Sequence, residues 1–241
     1  MDIKTGGVGA GPLRTLIDKI AKNAGRTTFL EHEVKGLLKE TGLPVPRGVF
    51  VGRDLISAGA GAVVPLLRVL SYPLIAKVSS ETVISKSDVG GVVPSISDED
   101  GVVRALTGLS GVEGASGVLV EEMAPQGAEV IVGGIVDRQF GPVVMFGLGG
   151  IFVELFKDVS FGLAPLTEKG AMGLIREVKG YRLLSGYRGR PAADIDALLH
   201  IIVIVSELMA TGLIEEIDLN PVTVYSEGAM VLDAKMSIAR K

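Results

Sequence analysis

The sequence predicts an α+β fold, mostly antiparallel sheets flanked by helices, and three observations carry that prediction. Amphipathic helical stretches alternate with groups of short apolar runs joined by turn residues, which is the pattern of hairpins rather than of single parallel strands. Hydrophobic residues make up 47% and charged residues 22% of the 241, enough to build a buried core and too apolar for a disordered chain. Glycine, at 33 residues with no collagen-like period, signals many tight turns and close backbone approaches.

Residues 1–28 read as a Gly-rich N-terminal arm with a short basic amphipathic piece at Leu13–Ala21. Thr28-Phe29-Leu30-Glu31 then forms a capping box, opening a helix that carries Leu30, Val34, Leu37 and Leu38 on one face and stops at Gly42 and Pro44. Val45–Val51 is a strand, and Asp54 begins a Gly-interrupted helix ending before Ser71-Tyr72-Pro73. Leu74–Val78 and Val89–Ile96 follow as strands, and Ser97-Asp98-Glu99-Asp100 caps a helix to about Leu109. Three apolar strands, Val118–Glu122, Glu129–Val136 and Pro142–Phe146, are separated by Pro125-Gln126-Gly127 and Asp137–Gly141, with another at Ile151–Leu155. Helices fill Glu168–Lys179 and Ala192–Ala210. The end of the chain reads as Ile214–Leu219, Val222–Tyr225 and Met230–Ala234, with a hairpin across Ser226-Glu227-Gly228. The expected organisation is an arm (1–28), a first lobe (29–116) and a second lobe (117–241), split near Gly117 around a cleft. Exchange of strands between the lobes stays open.

Composition excludes several function classes. The chain has no cysteine, which removes thiol catalysis, zinc-thiolate sites and disulfides, and fits a reducing compartment. Its 24 basic and 28 acidic residues give a net charge of −4, and only 5% of residues are aromatic, so nucleic acid is not an expected partner. The first eleven residues carry one lysine and no apolar block, unlike a secretory signal. The longest apolar stretch, Ala197–Ile214, holds His200, Glu207 and Gly212 and reads as a buried amphipathic helix rather than a membrane span. A soluble, cytoplasmic protein is expected. Of the two histidines, His32 falls on a solvated helix face and His200 on a very apolar helix, as a core residue. No Gly-x-Ser-x-Gly elbow accompanies them, so a hydrolase triad is excluded.

The remaining polar groups fall into three clusters. Lys77 lies inside the apolar run Leu74-Ile75-Ala76-Lys77-Val78, where burial demands a counter-charge. It reads either as an edge-strand lysine reaching water or as a point charge aimed at phosphate. Lys86-Ser87-Asp88-Val89-Gly90-Gly91 adds a cation and two glycines suited to a loop over phosphates. Gly147-Leu148-Gly149-Gly150 is not a dinucleotide fingerprint, because Phe152 stands where the third glycine belongs. Asp218 and Asn220 share one strand face, and the turn at Ser226–Gly228 places Asp233 opposite or nearly opposite Asn220. Such an oxygen-only set suits Mg²⁺ completed by water and phosphate, or is the solvated face of an edge hairpin. Glu121, Glu122 and Glu129 form the third cluster, as hydrogen-bond acceptors or as surface charge.

Taken in order, Leu74–Lys77, Lys86–Gly91, Val118–Pro125 (Val-Leu-Val-Glu-Glu-Met-Ala-Pro), Gly141–Gly150 and Asp218-Leu219-Asn220-Pro221 closely resemble the beta subunit of ADP-forming acetyl-CoA (acyl-CoA) synthetases. These are ATP-grasp proteins related to the succinyl-CoA synthetase beta subunit, and the likeness runs from about Phe29 to the C-terminus. The resemblance implies two α+β lobes holding ATP or ADP with Mg²⁺. It implies a hetero-oligomer with a CoA-binding alpha subunit that carries a phosphohistidine. It makes Lys77 a contact of the nucleotide phosphates, with Lys86, Gly90 and Gly91 in the phosphate loop. Glu121, Glu122 and Met123 become the adenine hinge, with Ala124 close by, and Glu129 the acid taking the ribose hydroxyls. Asn220 and Asp233 match the magnesium ligands, with Asp218 beside them. The implied activity is that of an acid–thiol ligase, whose share of catalysis is phosphate positioning and charge neutralisation.

Two positions depart from the pattern. Ser85 stands where the family often has a relay histidine, and a phosphoserine ester gives its phosphate to ADP far less readily than a phosphohistidine does. Gly162 stands where many relatives have arginine. These departures keep a second reading in play, a nucleotide-binding regulatory or assembly subunit without turnover. A third is a stand-alone ATP-grasp ligase with its own acceptor site.

Overall fold

The computed structural model describes residues 15, 17–18, 26–83, 85–150, 155–187, 189 and 191–238. The predicted strand at Ile151–Leu155 and the N-terminal arm fall mainly outside them. The chain divides into two compact units, one built from 30–33 and 46–125 and the other including Phe29, 34–45 and 126–241.

Helix α1 (Glu31–Glu40) buries Val34, Leu37 and Leu38 of the predicted face, and Leu30 is buried just before it. Its cap differs from the one expected. The Leu30 N–H donates to Glu33 Oε2 at 2.8 Å, so Glu33 satisfies the helix start and Glu31 serves elsewhere. Strands β1 (Gly48–Gly52), β2 (Leu74–Ser80), β3 (Val92–Ile96) and β4 (Ala115–Glu122) form an antiparallel sheet in the order β1-β4-β2-β3. The single helix expected from Asp54 is two, α2 (Arg53–Ser57) and α3 (Ala60–Leu67), because Gly59 between them adopts φ +92°. Helix α4 (Glu99–Ser110) starts at Asp98, whose Oδ1 accepts the Gly101 N–H at 2.7 Å. Its Val102, Leu106 and Leu109 share a core with Ala76, Val118 and Val120 of the sheet. By strand alternation Lys77, Leu119 and Glu121 occupy the opposite face.

The predicted boundary near Gly117 moves to Pro125. Strand β4 is hydrogen-bonded between β1 and β2, so it completes the first sheet instead of opening the second unit.

The second unit contains β5 (Ala128–Asp137), β6 (Gly141–Leu148), β7 (Val159–Leu163), α5 (Glu168–Glu177), α6 (Tyr181–Leu184) and α7 (Ile195–Ala210). It ends with β8 (Ile214–Val224), β9 (Ala229–Val231) and β10 (Ala234–Ile238). The sheet runs β10-β8-β5-β6-β7 with β9 paired to β8, all antiparallel. Edge strand β7 was not anticipated; it buries Ser160 and leaves Phe161 and Leu163 exposed, the reverse of the usual apolar-in pattern. Leu198, Ile201, Ile202, Val205 and Leu208 recur at helical spacing along α7 and are fully buried on the sheet. Close approach is possible because Gly134 has no Cβ, which would lie 2.6 Å from Met209 Cγ. Two predicted strands merge into β8, since a register shift between Val130 and Val132 absorbs Asn220-Pro221 within one strand. Both histidine expectations are corrected. His32 stacks on Phe50 with centroids 4.0 Å apart, and His200 is exposed on α7. Among the described residues no helix is long and apolar enough to cross a membrane.

Asp194 caps α7 and also ties down the terminal hairpin turn. Its carboxylate accepts the Ala197 N–H at 2.9 Å and the Gly228 N–H at 2.7 Å, and these bonds hold it below the usual aspartate range. A group depressed in the folded state stabilises it above the ordinary pKa and loses that contribution as pH falls. Asp194→Ala should therefore cost about 1–2 kcal/mol at pH 7 in urea unfolding. The difference from wild type should shrink when the measurement is repeated well below pH 4, the ordinary carboxylate range.

Candidate functional site

Lys77 is a buried charge held by pairing on both sides of its strand. On β2 it stands opposite Leu119 of the neighbouring strand, so Glu121, two residues along β4, lies diagonally on the same face. The Lys77 ammonium donates to Glu121 Oε2 at 2.7 Å and to Glu31 Oε1 at 3.1 Å. Lys86 Nζ lies 2.9 Å from the other Glu31 oxygen. Side-chain exposures are 8% for Lys77, 3% for Glu31, 1% for Glu121 and 10% for Lys86, so all four charges are desolvated. Among the described residues two cations and two anions meet here and cancel, which is the condition for keeping them charged inside. Of the two readings of Lys77, reach to water is thereby excluded. Gly48 of β1 pairs with Glu121, and a Cβ there would lie 2.7 Å from Glu121 Cγ. Its hydrogen side chain leaves the room that Glu121 occupies.

The other predicted contacts on this unit take varied places. Gly90 N–H donates to Ser87 O at 3.2 Å and Gly91 N–H to Lys86 O at 2.7 Å, so in this loop both donors close the turn. Gly91 also seats the loop on β2, where its carbonyl accepts the Val78 N–H at 2.8 Å. Ser85 is half-buried beside Lys86. Glu122 is held by Arg47 at 3.4 Å and accepts the Ser71 N–H at 3.0 Å. Met123 is exposed, with its N–H donating to Pro73 O, and Ala124 follows half-buried.

In the second unit the terminal hairpin brings Asn220 and Asp233 together, the Asn220 N–H donating to Asp233 O at 3.1 Å. Asp218 sits one pleat away on β8, paired with Lys235. Asp218 and Asp233 are half-buried and Asn220 is exposed, so the oxygens are neither sealed in the core nor fully solvated. Among the described residues no group of three or more His, Cys, Asp or Glu forms a metal cluster. Two carboxylates and an amide oxygen fit a hard cation that fills its other positions with water or phosphate. Lys35 of α1 is buried, and its ammonium donates to Leu232 O at 2.7 Å, pinning the residue before Asp233. Glu129 is exposed at the start of β5 and lines a cavity of about 650 Å³ with Gly149, Leu184, Ala192, Val224 and Tyr225. Burial raises the Tyr225 hydroxyl above its ordinary pKa. A Cβ on Gly162 would point at Leu166 and Leu174, into the apolar layer under α5. That position faces the side of the sheet covered by α5.

A family model described as the ATP-grasp domain matches residues 20–238. The beta subunit of ADP-forming acetate–CoA ligase I from Pyrococcus furiosus is 42% identical over 233 residues, covering 92% of this chain and 96% of that one. The chain belongs to the ATP-grasp family of ADP-forming acetate–CoA ligase beta subunits. ADP-forming acetate–CoA ligase II of Archaeoglobus fulgidus is 40% identical over 88% of the chain, and there this ATP-grasp domain spans only 31% of the relative's length. A structure of acetyl-coenzyme A synthetase 1 from Ca. Korarchaeum cryptofilum matches with TM-score 0.78 and 40% identity, covering 94% of this chain and 100% of that one. It contains coenzyme A and Mg-AMPPCP, with a phosphohistidine segment pointing towards the nucleotide-binding site.

Sequence reasoning missed Glu31, Lys35 and Gly48 in this ATP-grasp chain. Glu31 and Lys35 are four residues apart on one helix, a spacing that also describes an ordinary surface pair. Nothing in the sequence says that their partners lie 46 and 197 residues away.

The quartet makes a stability prediction. Lys77→Met leaves Glu121 buried without its cation and should destabilise the chain by about 3–5 kcal/mol in urea unfolding. Adding Glu121→Gln should restore part of that loss, whereas a solvent-facing lysine would give under about 1 kcal/mol for the single change.

Proposed function

We propose that this chain is the nucleotide-binding subunit of an ADP-forming acyl-CoA synthetase of the acetyl-CoA type. It transfers phosphoryl between ATP or ADP and a histidine on a CoA-binding alpha subunit. The observation that carries this reading is the pairing of Asn220 with Asp233, with Asp218 one pleat away, in a chain whose other unit buries two lysines. The Korarchaeum synthetase supports it, since its phosphohistidine segment is directed at a bound Mg-nucleotide.

In the forward step the Pβ–O–Pγ bond of ATP breaks, ADP leaves, and a P–N bond forms on the partner's imidazole. Lys77 and Lys86 offset charge on the polyphosphate and hold it in line. Asp218, Asn220 and Asp233 would hold Mg²⁺, which when bound neutralises phosphate charge. Glu122, Met123 and Ala124 border the adenine, and Glu129, beside its cavity, takes the ribose hydroxyls. Glu121 acts on the nucleotide indirectly, by keeping Lys77 charged. Gly90 and Gly91 shape the loop that carries Lys86. Ser85 carries no phosphoryl group, so the partner's histidine reaches the nucleotide without a relay on this chain. Ser85 is also the observation that favours the second reading, a regulatory or assembly subunit that binds nucleotide without turnover.

Reconstitution separates the two. Mixed with an alpha-type partner, acetate, CoA and Mg-ATP, the chain should release ADP and acetyl-CoA. Asp233→Asn, which removes a charged ligand worth roughly 1.5–3 kcal/mol, should lower kcat/KM by about 10–100-fold. Mg-ATP binding by calorimetry without ADP release would support the non-catalytic subunit. Turnover with no partner present would support a stand-alone ligase.

A further inference from the structure

Two acids occupy the first turn of α1, and the structure separates their duties. Glu33 closes the helix start by accepting the Leu30 N–H at 2.8 Å. Glu31 makes no such cap. Its carboxylate instead spans two lysines from different segments, with Oε1 3.1 Å from Lys77 Nζ and Oε2 2.9 Å from Lys86 Nζ. We infer that Glu31 is a positioning residue of the phosphate site, aiming both ammonium groups and keeping them protonated. This rests on the reading of Lys77 and Lys86 as the phosphate-facing cations.

Lys77 lies on β2, where its backbone is fixed by pairing on both sides. Lys86 lies in a turn held by the Gly91–Lys86 hydrogen bond. Left to themselves, two ammonium groups this desolvated repel each other, and each gives up its proton more readily. Glu121 of β4 also meets Lys77, at 2.7 Å. Among the described residues Glu31 contacts both, so it ties their positions together as well as balancing their charge. The location of Glu31 also suits an anion, because the helix N-terminus stabilises negative charge there.

A purely structural acid would change stability without changing how binding depends on pH. The test is Mg-ATP affinity by calorimetry from pH 7 to 10 on the full chain, for wild type, Glu31→Gln and Lys77→Met. The inference expects the alkaline fall in affinity to begin about one pH unit or more lower in Glu31→Gln than in wild type. Superimposable profiles would overturn it, and so would tighter binding by the glutamine variant at every pH, which would make Glu31 a competitor of phosphate. Wild-type protein that binds no Mg-ATP would instead overturn the nucleotide reading itself. Binding weakened by Lys77→Met but unaltered in pH profile by Glu31→Gln would remove the Glu31 role alone. If the glutamine variant does not fold, NMR titration of the Lys77 and Lys86 ammonium groups in wild type and Glu31→Asp decides. The shorter acid cannot span both lysines, so at least one should titrate lower, and identical titrations would overturn the inference.

Discussion

A lysine inside a sheet face cannot stay charged without anions beside it, and much of the first unit is arranged to meet that demand. Glu121 comes from the next strand and Glu31 from a helix start 46 residues away. Gly48 supplies the space for Glu121. Lys86 then balances the second carboxylate. Each of these groups alone costs free energy to bury, and among the described residues their charges balance and depend on one another. Stability and the proposed phosphate recognition therefore draw on one set of contacts.

The second unit solves a different problem. Its core is a long apolar helix on a five-strand path, closed by a hairpin whose polar residues lie at a register shift in β8. The shift accommodates Asn220-Pro221 and turns the local backbone so that Asn220 meets Asp233. Lys35 fixes the chain just before Asp233, and Asp194 fixes the hairpin turn just after β8. Half-buried Asp218 and Asp233 beside exposed Asn220, on a braced ribbon, would suit a cation that takes its other positions from phosphate or water.

The α+β class, most strands and the Asn220–Asp233 juxtaposition were legible from alternation, turn residues and strand period. The tertiary partners were not. Glu31 reads locally as a capping acid, and only the fold shows that Glu33 caps while Glu31 is taken by lysines. The boundary at Pro125 was missed because β4 looks like its successors in sequence, and its place between β1 and β2 is a long-range fact. Gly90 and Gly91 looked like phosphate donors by type, yet their N–H groups close a turn. His200 fell on an apolar helix but on its outer side, where composition outweighed phase in the reading.

The central claim is that the buried ammonium pair exists to meet a polyphosphate. NMR of the Lys77 and Lys86 ammonium groups, recorded on the intact chain with Mg-AMPPCP and separately with adenosine, addresses it most directly. The account predicts that both resonances move with Mg-AMPPCP and stay in place with adenosine. Unmoved lysine signals in a chain saturated with Mg-AMPPCP would contradict it, leaving the quartet as a device of folding alone.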